Sequence, residues 1–109
     1  MNWRESIEIE LDRARVAQRE GNEGKARTSA RRAVGLAVEE HQKRFPEKAH
    51  GRDYISQLRS LAADPEVPQA AREAADRLQA RITPYFASRS VDPVHDAEII
   101  LAYIHTRLL

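Results

Sequence analysis

The sequence predicts an all-α protein, an up-and-down helical bundle of about five helices in which one short helix is added to a four-helix core. Three features support this prediction. Apolar residues recur at every third or fourth position in several stretches, which glycines and prolines separate. No stretch alternates apolar and polar residues as a half-buried strand would. The composition, with 32% charged and 6% aromatic residues, is also typical of helices.

The first helix is expected from about Trp3 to Glu20, because an apolar stripe fills this stretch and Gly21-Asn22 supplies a C-terminal stop. The stripe consists of Trp3, Ile7, Leu11 and Ala14. The second helix is expected from Glu23 to Arg44, since Phe45 precedes a proline and is therefore disfavoured in helical geometry. The link is so short that these helices should form an antiparallel hairpin.

The second helix combines a row of very small residues with a basic flank. The row consists of Ala26, Ala30, Ala33 and Ala37, and the flank of Lys25, Arg27, Arg31 and Arg32. The small side chains allow a neighbouring helix to approach the backbone closely. The flank meets either phosphate or water, and we assign phosphate binding to Arg31 and Arg32.

The second half of the chain should contain three shorter helices. After a loop over residues 46–51, a short amphipathic helix carries Tyr54, Ile55, Leu58, Leu61 and Ala62 and ends at Asp64-Pro65. A fourth helix should have Pro68 in its first turn and extend through Ile82 to Thr83-Pro84. An irregular connection should follow. The last helix should start at Asp92-Pro93 and run to about Arg107, with Asp92 capping its free amides.

Two of these helices carry apolar residues on the side opposite their core stripe. These residues are Ile9 and Val16 on the first helix and Ile99 and Tyr103 on the last. A self-complementary patch of this kind would form a homodimer interface. The alternative for the first helix is two scattered exposed aliphatic side chains, which are common on protein surfaces.

Length and composition narrow the class of protein. The 109 residues suit a single domain that spans the chain, and 18 basic against 17 acidic residues exclude a global polycation. Cysteine is absent, the longest apolar run is far too short to cross a membrane, and the N-terminus lacks the blocks of a secretory signal. We therefore expect a cytoplasmic protein. The histidines lack zinc spacing, and we predict no metal and no cofactor.

Arg89 and His95 are the candidate residues for chemistry. They flank the expected start of the last helix, where free backbone amides and a guanidinium both favour a phosphate. A histidine beside that phosphate could act as a general base on a ribose hydroxyl without a metal. The alternative is a solvated arginine and a histidine that merely lies near a helix start.

Several residues follow one another in a recognisable order. They are Trp3 at the head of the first helix, the Gly21-Asn22 turn, His50 before the short helix, and Tyr85 with Arg89 ahead of the final helix. Together with the Ala-rich second helix, this order resembles the HEPN superfamily of helical nucleic-acid and nucleotide-associated domains. The resemblance is to the small stand-alone members that are paired with minimal nucleotidyltransferases, and it spans nearly the whole chain.

The resemblance implies a homodimer that binds RNA or a nucleotide, with a nucleotidyltransferase-like protein partner in a toxin–antitoxin type pair. In ribonuclease members an arginine and, after a short spacer, a histidine form the catalytic motif, which Arg89 and His95 match. Ser90 and Ala97 depart from the usual ribonuclease pattern. Two alternatives to binding stay open: metal-independent RNA cleavage by Arg89 and His95, and a purely structural protein–protein interaction module.

Overall fold

The computed structural model describes residues 2–48, 51–80 and 91–108. These ranges contain five α-helices, and the predicted all-α bundle is confirmed. The helices are α1 (Trp3–Arg19), α2 (Glu23–Arg44), α3 (Tyr54–Ala63), α4 (Gln69–Gln79) and α5 (Pro93–Leu108). A single 3-10 turn over Pro46–Lys48 lies in the segment that we expected to be a loop.

Short polar side chains fix the starts of the first three helices. Asn2, Asn22 and Asp53 precede α1, α2 and α3, and each accepts a hydrogen bond from the backbone amide three residues later. Gly21 adopts a φ of +77°, which lets the chain reverse between α1 and α2 without steric cost. Local sequence therefore produces the predicted helical hairpin.

Helix α2 lies at the centre of the bundle and packs against α1, α3, α4 and α5. Its predicted alanine row is fully buried, with 0% exposure at each of Ala26, Ala30, Ala33 and Ala37. A helix that neighbours contact on several sides needs small residues, because each additional helix must approach its axis closely. The central position of α2 also explains why an arginine of its basic flank becomes buried.

Helix α3 approaches α2 most closely at Gly35. A Cβ atom at this glycine would overlap the ring of Tyr54 and lie 3.3 Å from Oε1 of Gln57. The missing side chain therefore lets the first turn of α3 rest on the backbone of α2. This contact places the N-terminal part of α3 beside the basic flank.

Two predicted boundaries of α4 differ from the structure. Pro68 is the N-cap residue, with a ψ of 146°, and the helix begins after it rather than with it. At the other end the prediction of a helix through Ile82 is wrong, because Ala80 is extended with a ψ of 139° and α4 ends at Gln79. The side chain of Arg31 binds the carbonyl oxygens at this end, a tertiary contact that local periodicity does not encode. Ile82 itself lies outside the described residues.

Within the described part of the chain, the helices are either too short or too polar to span a lipid bilayer.

Candidate anion-binding site

A groove opens where α2, the start of α3 and the end of α4 meet. We call it the arginine groove, and its walls include Arg27 and Arg31 from α2 and Asp53, Ile55, Ser56 and Arg59 from the beginning of α3. Among the described residues, three arginine side chains thus share one depression with a single carboxylate. This imbalance of charge is the first sign of an anion-binding site.

Arg27 is the most unusual residue of the groove. Only 8% of its surface is exposed, so it is more than nine-tenths buried. Within the described ranges, no ion pair and no hydrogen bond joins its guanidinium to another residue. Its positive charge lies close to that of Arg31, and the two like charges repel each other. An anionic ligand in the groove would offset this repulsion.

Arg31 lies one turn further along α2 and has a partly structural role. Its Nε donates to the carbonyl oxygen of Leu78 at 2.7 Å, and its Nη2 donates to that of Ala80 at 3.2 Å. The pKa of Arg31 is lowered from its ordinary value, first because burial removes water and second because the charge of Arg27 is close. The α4 carbonyls do not neutralise this charge, and no bond within the described residues involves the remaining Nη1.

Among the described residues, the carboxylate of Asp53 bonds to Ser56 rather than to the arginines of the groove. Its Oδ1 accepts from the backbone amide of Ser56 at 2.8 Å, and its Oδ2 accepts from the Ser56 hydroxyl at 2.9 Å. These hydrogen bonds, of which the backbone one is the strongest cause, lower the pKa of the Asp53 carboxyl. The group therefore acts as the N-cap of α3. Across the groove, Nε of Arg59 donates to Oε1 of Gln79 at 3.3 Å.

The phosphate-binding pair predicted from sequence is only partly brought together. Arg31 lines the groove, whereas Arg32 is exposed on α2 and is not among the lining residues. Arg27 belongs to the predicted basic flank, and its position four residues before Arg31 is the signal that would have singled it out. Arg59 gives no comparable signal, because its place in the groove depends on how α3 packs.

The start of α5 lies close to the same arginine. Oδ1 of Asp92 accepts from the backbone amide of His95 at 3.0 Å and from Nε2 of Gln18 at 3.1 Å, as a helix cap. His95 is exposed in the first turn of α5, as predicted. Arg89 lies outside the described residues. A second cleft beside the helical hairpin is lined by Gln18, Gly21, Glu23, Arg27, Val91 and Pro93.

The four side chains assigned to a dimer interface differ in exposure. Ile9 and Val16 are 37% and 42% exposed on α1, which is high for large aliphatic residues. Ile99 and Tyr103 are half-buried and pack against the protein's own core. An outward apolar surface therefore remains on α1, while most of the surplus apolar surface of α5 is covered.

Tyr103 also lies on a different side of α5 from the one that faces α1. On α5, Glu98 points toward α1, where its carboxylate lies 3.8 Å from the guanidinium of Arg15. Tyr103 points away from this side and lines a small depression together with Leu61 of α3. Residues 98 and 103 differ by more than a third of a turn around the helix. A dimer surface built on Ile9 and Val16 is consequently separate from Tyr103.

Among residues 2–48, 51–80 and 91–108, no three histidine, aspartate or glutamate side chains gather as metal ligands would. The buried His41 instead packs its ring against Phe45, with the ring centroids 4.9 Å apart.

No protein-family model matches the chain, and no curated protein or solved structure matches it either. The HEPN resemblance therefore rests on the order of residues along the sequence. What the chain does has to be argued from its own geometry.

Proposed function

We propose that this chain binds the phosphate groups of RNA or of a nucleotide in the arginine groove. The observation that carries the proposal is Arg27, a charged side chain with 8% exposure and no partner among the described residues. Phosphate is the biological anion that fits best, because its oxygens accept paired hydrogen bonds from the planar guanidinium fork.

The charge distribution supports local recognition of one ligand group. The chain has a formal net charge of only +1, which is too small for non-specific binding through a broad basic surface. The excess positive charge is instead concentrated around Arg27 and Arg31, where burial reduces screening by water. A phosphate bound there gains more from each charge than it would on an open surface.

In this proposal the chain is a cytoplasmic, homodimeric, HEPN-like domain and one half of a toxin–antitoxin type pair with a nucleotidyltransferase-like protein. Support comes from the order of the helices and from His95 in the first turn of α5. The exposed Ile9 and Val16 support the dimer, since they are seven residues apart and therefore lie on the same face of α1.

Fluorescence anisotropy with a labelled single-stranded RNA tests the proposal, with nucleotides as competitors. Arg27→Met keeps most of the apolar stem but removes the charge, and we expect it to weaken binding about tenfold or more, since charge-assisted hydrogen bonds contribute about 1.5–3 kcal/mol. Arg32→Met is the matched control, because it makes the same change at an exposed position of the same helix. Absence of binding, or equal losses in both variants, would contradict the proposal.

Metal-independent RNA cleavage is the second candidate, favoured by the exposed imidazole of His95 at a helix start close to the Arg27 cleft. The test is incubation of labelled RNA with the protein in chelator. Products that form with the wild type but not with His95→Ala or Arg89→Ala would assign cleavage to these residues. Intact RNA that is nevertheless bound would restrict the function to binding, and RNA that is neither cut nor bound would favour a structural interaction module.

A further inference from the structure

The three arginines that line the arginine groove come from two different helices. Arg27 and Arg31 are one turn apart on α2, and Arg59 reaches the same groove from α3. Proteins that hold a nucleic-acid backbone along its length usually present a basic groove that follows several successive phosphates. The exposed Arg32 does not line the groove and so does not extend the set into such a track. The arrangement fits one phosphate.

The charges of the groove indicate which kind of phosphate it would hold. The described residues that line it include Arg27, Arg31 and Arg59 against the single carboxylate of Asp53, a net charge of +2. A phosphate monoester carries about −1.5 to −2 charges near neutral pH, because its second pKa is about 6. An internal phosphodiester carries a single negative charge and would leave part of this positive charge uncompensated.

The hydrogen-bond donors lead to the same conclusion. Arg27 has its whole guanidinium available, Arg31 retains Nη1, and Arg59 retains its two terminal nitrogens within the described part of the chain. A phosphate monoester presents three acceptor oxygens, so each arginine can contact a different one. A phosphodiester presents only two unsubstituted oxygens. The half-buried Ile55 adds an apolar wall against which the attached sugar can pack.

We infer that the arginine groove selects a terminal phosphate monoester, such as the 5′ end of an RNA or a nucleoside monophosphate, over an internal phosphodiester. This inference rests on the proposed function and specifies its ligand. We assign the discrimination between monoester and diester to Arg27, because within the described residues it is the one arginine of the groove whose guanidinium makes no bond.

Two matched ligand pairs test the inference by competition and calorimetry. One pair is a short RNA with a 5′-phosphate and the same RNA with a 5′-hydroxyl. The other is adenosine 5′-monophosphate and adenosine 3′,5′-cyclic monophosphate, which share base and sugar but differ as monoester and diester. We expect each monoester to bind at least tenfold more tightly than its counterpart. Arg27→Met should abolish the difference, and Arg27→Lys, which keeps the charge but not the fork, should reduce it.

The possible results separate the inference from the proposed function. Monoester preference that is lost in Arg27→Met and kept in Arg32→Met supports both. If the two members of each pair bind equally well and Arg27→Met weakens the binding of both, the monoester selection is overturned but phosphate binding at the groove is kept. Absence of binding by any of the four ligands would overturn both. Circular dichroism of each variant shows that a loss of affinity is not a loss of fold.

Discussion

Replacing Arg27 by methionine should stabilise the free protein while it weakens ligand binding. The side chain of Arg27 is mostly enclosed and its charge lies close to the like charge of Arg31, so we expect this charge to oppose folding in the absence of ligand. Methionine retains a flexible apolar stem of similar length and removes the charge. The prediction is unusual, since most substitutions of buried residues destabilise a protein.

The size of the effect follows from the neighbouring charge. Arg27 and Arg31 are one turn apart on α2, a spacing at which Cβ atoms are typically about 6 Å apart, and two unit charges at that distance would repel by about 3 kcal/mol at an effective dielectric constant of about 20. Partial solvent screening of Arg31 reduces this repulsion, and we expect a net gain of about 1–2 kcal/mol. For a domain of this size the melting temperature should rise by about 5–10 °C.

Thermal unfolding followed by circular dichroism in buffer without phosphate measures the change in melting temperature. Arg32→Met is the control, and it should change the free energy of unfolding by less than about 0.5 kcal/mol. A ligand at about 100 times its dissociation constant stabilises the wild type by about 2.7 kcal/mol. With adenosine 5′-monophosphate added, the order of the two melting temperatures should therefore reverse. A melting temperature of Arg27→Met below that of the wild type in ligand-free buffer would refute the reasoning, because it would mean that the charge is already compensated.

Four further substitutions test other parts of the structure. Gly35→Ala should lower the free energy of unfolding by about 1–3 kcal/mol, because its Cβ would overlap a ring of α3. Gly24→Ala places its Cβ in open space and should raise the free energy of unfolding by up to about 1 kcal/mol in the same thermal melts. Equal effects of the two alanine substitutions would contradict the close approach of α3 to Gly35. Ser56→Ala removes a hydrogen bond that lowers the pKa of the Asp53 carboxyl, so this pKa should rise toward 3.8 in an NMR titration. The cap stabilises the protein at pH values above the ordinary pKa of aspartate and loses this effect as the pH falls through the lower pKa of Asp53 in the native state. An unshifted pKa of Asp53 in Ser56→Ala would argue against the hydroxyl contact. Ile9→Glu should convert the proposed dimer to a monomer in sedimentation velocity at micromolar concentration, and a monomeric wild type would exclude the dimer.

The helices could be predicted from sequence because their ends are determined locally. Asn22 after a glycine and proline after Asp92 define helix boundaries through capping and backbone geometry alone, and the structure has boundaries at both places. The end of α4 was predicted wrongly because a side chain from another helix, Arg31, binds the carbonyl oxygens there. Periodicity within α4 carries no information about that contact.

The candidate site could be predicted only in part, for a related reason. The basic flank of α2 is visible in the sequence, but a flank of arginines does not reveal which member a neighbouring helix will cover. Arg27 is buried and Arg32 exposed because α3 and α4 pack on one side of α2. Arg59 enters the groove only because Gly35 lets α3 come close. These are properties of helix packing, which a single sequence does not specify residue by residue.

The packing of α2 also bears on the choice between a phosphate site and a solvated basic face. A solvated face would leave each arginine in water, where its charge costs nothing and attracts little. Arg32 has this environment, whereas Arg27 does not. Arg27 is enclosed close to the like charge of Arg31, which should lower the stability of the free protein, and a bound phosphate would reverse this cost. The opposite effects of Arg27→Met on stability and on affinity therefore distinguish a binding site from a surface more directly than affinity alone.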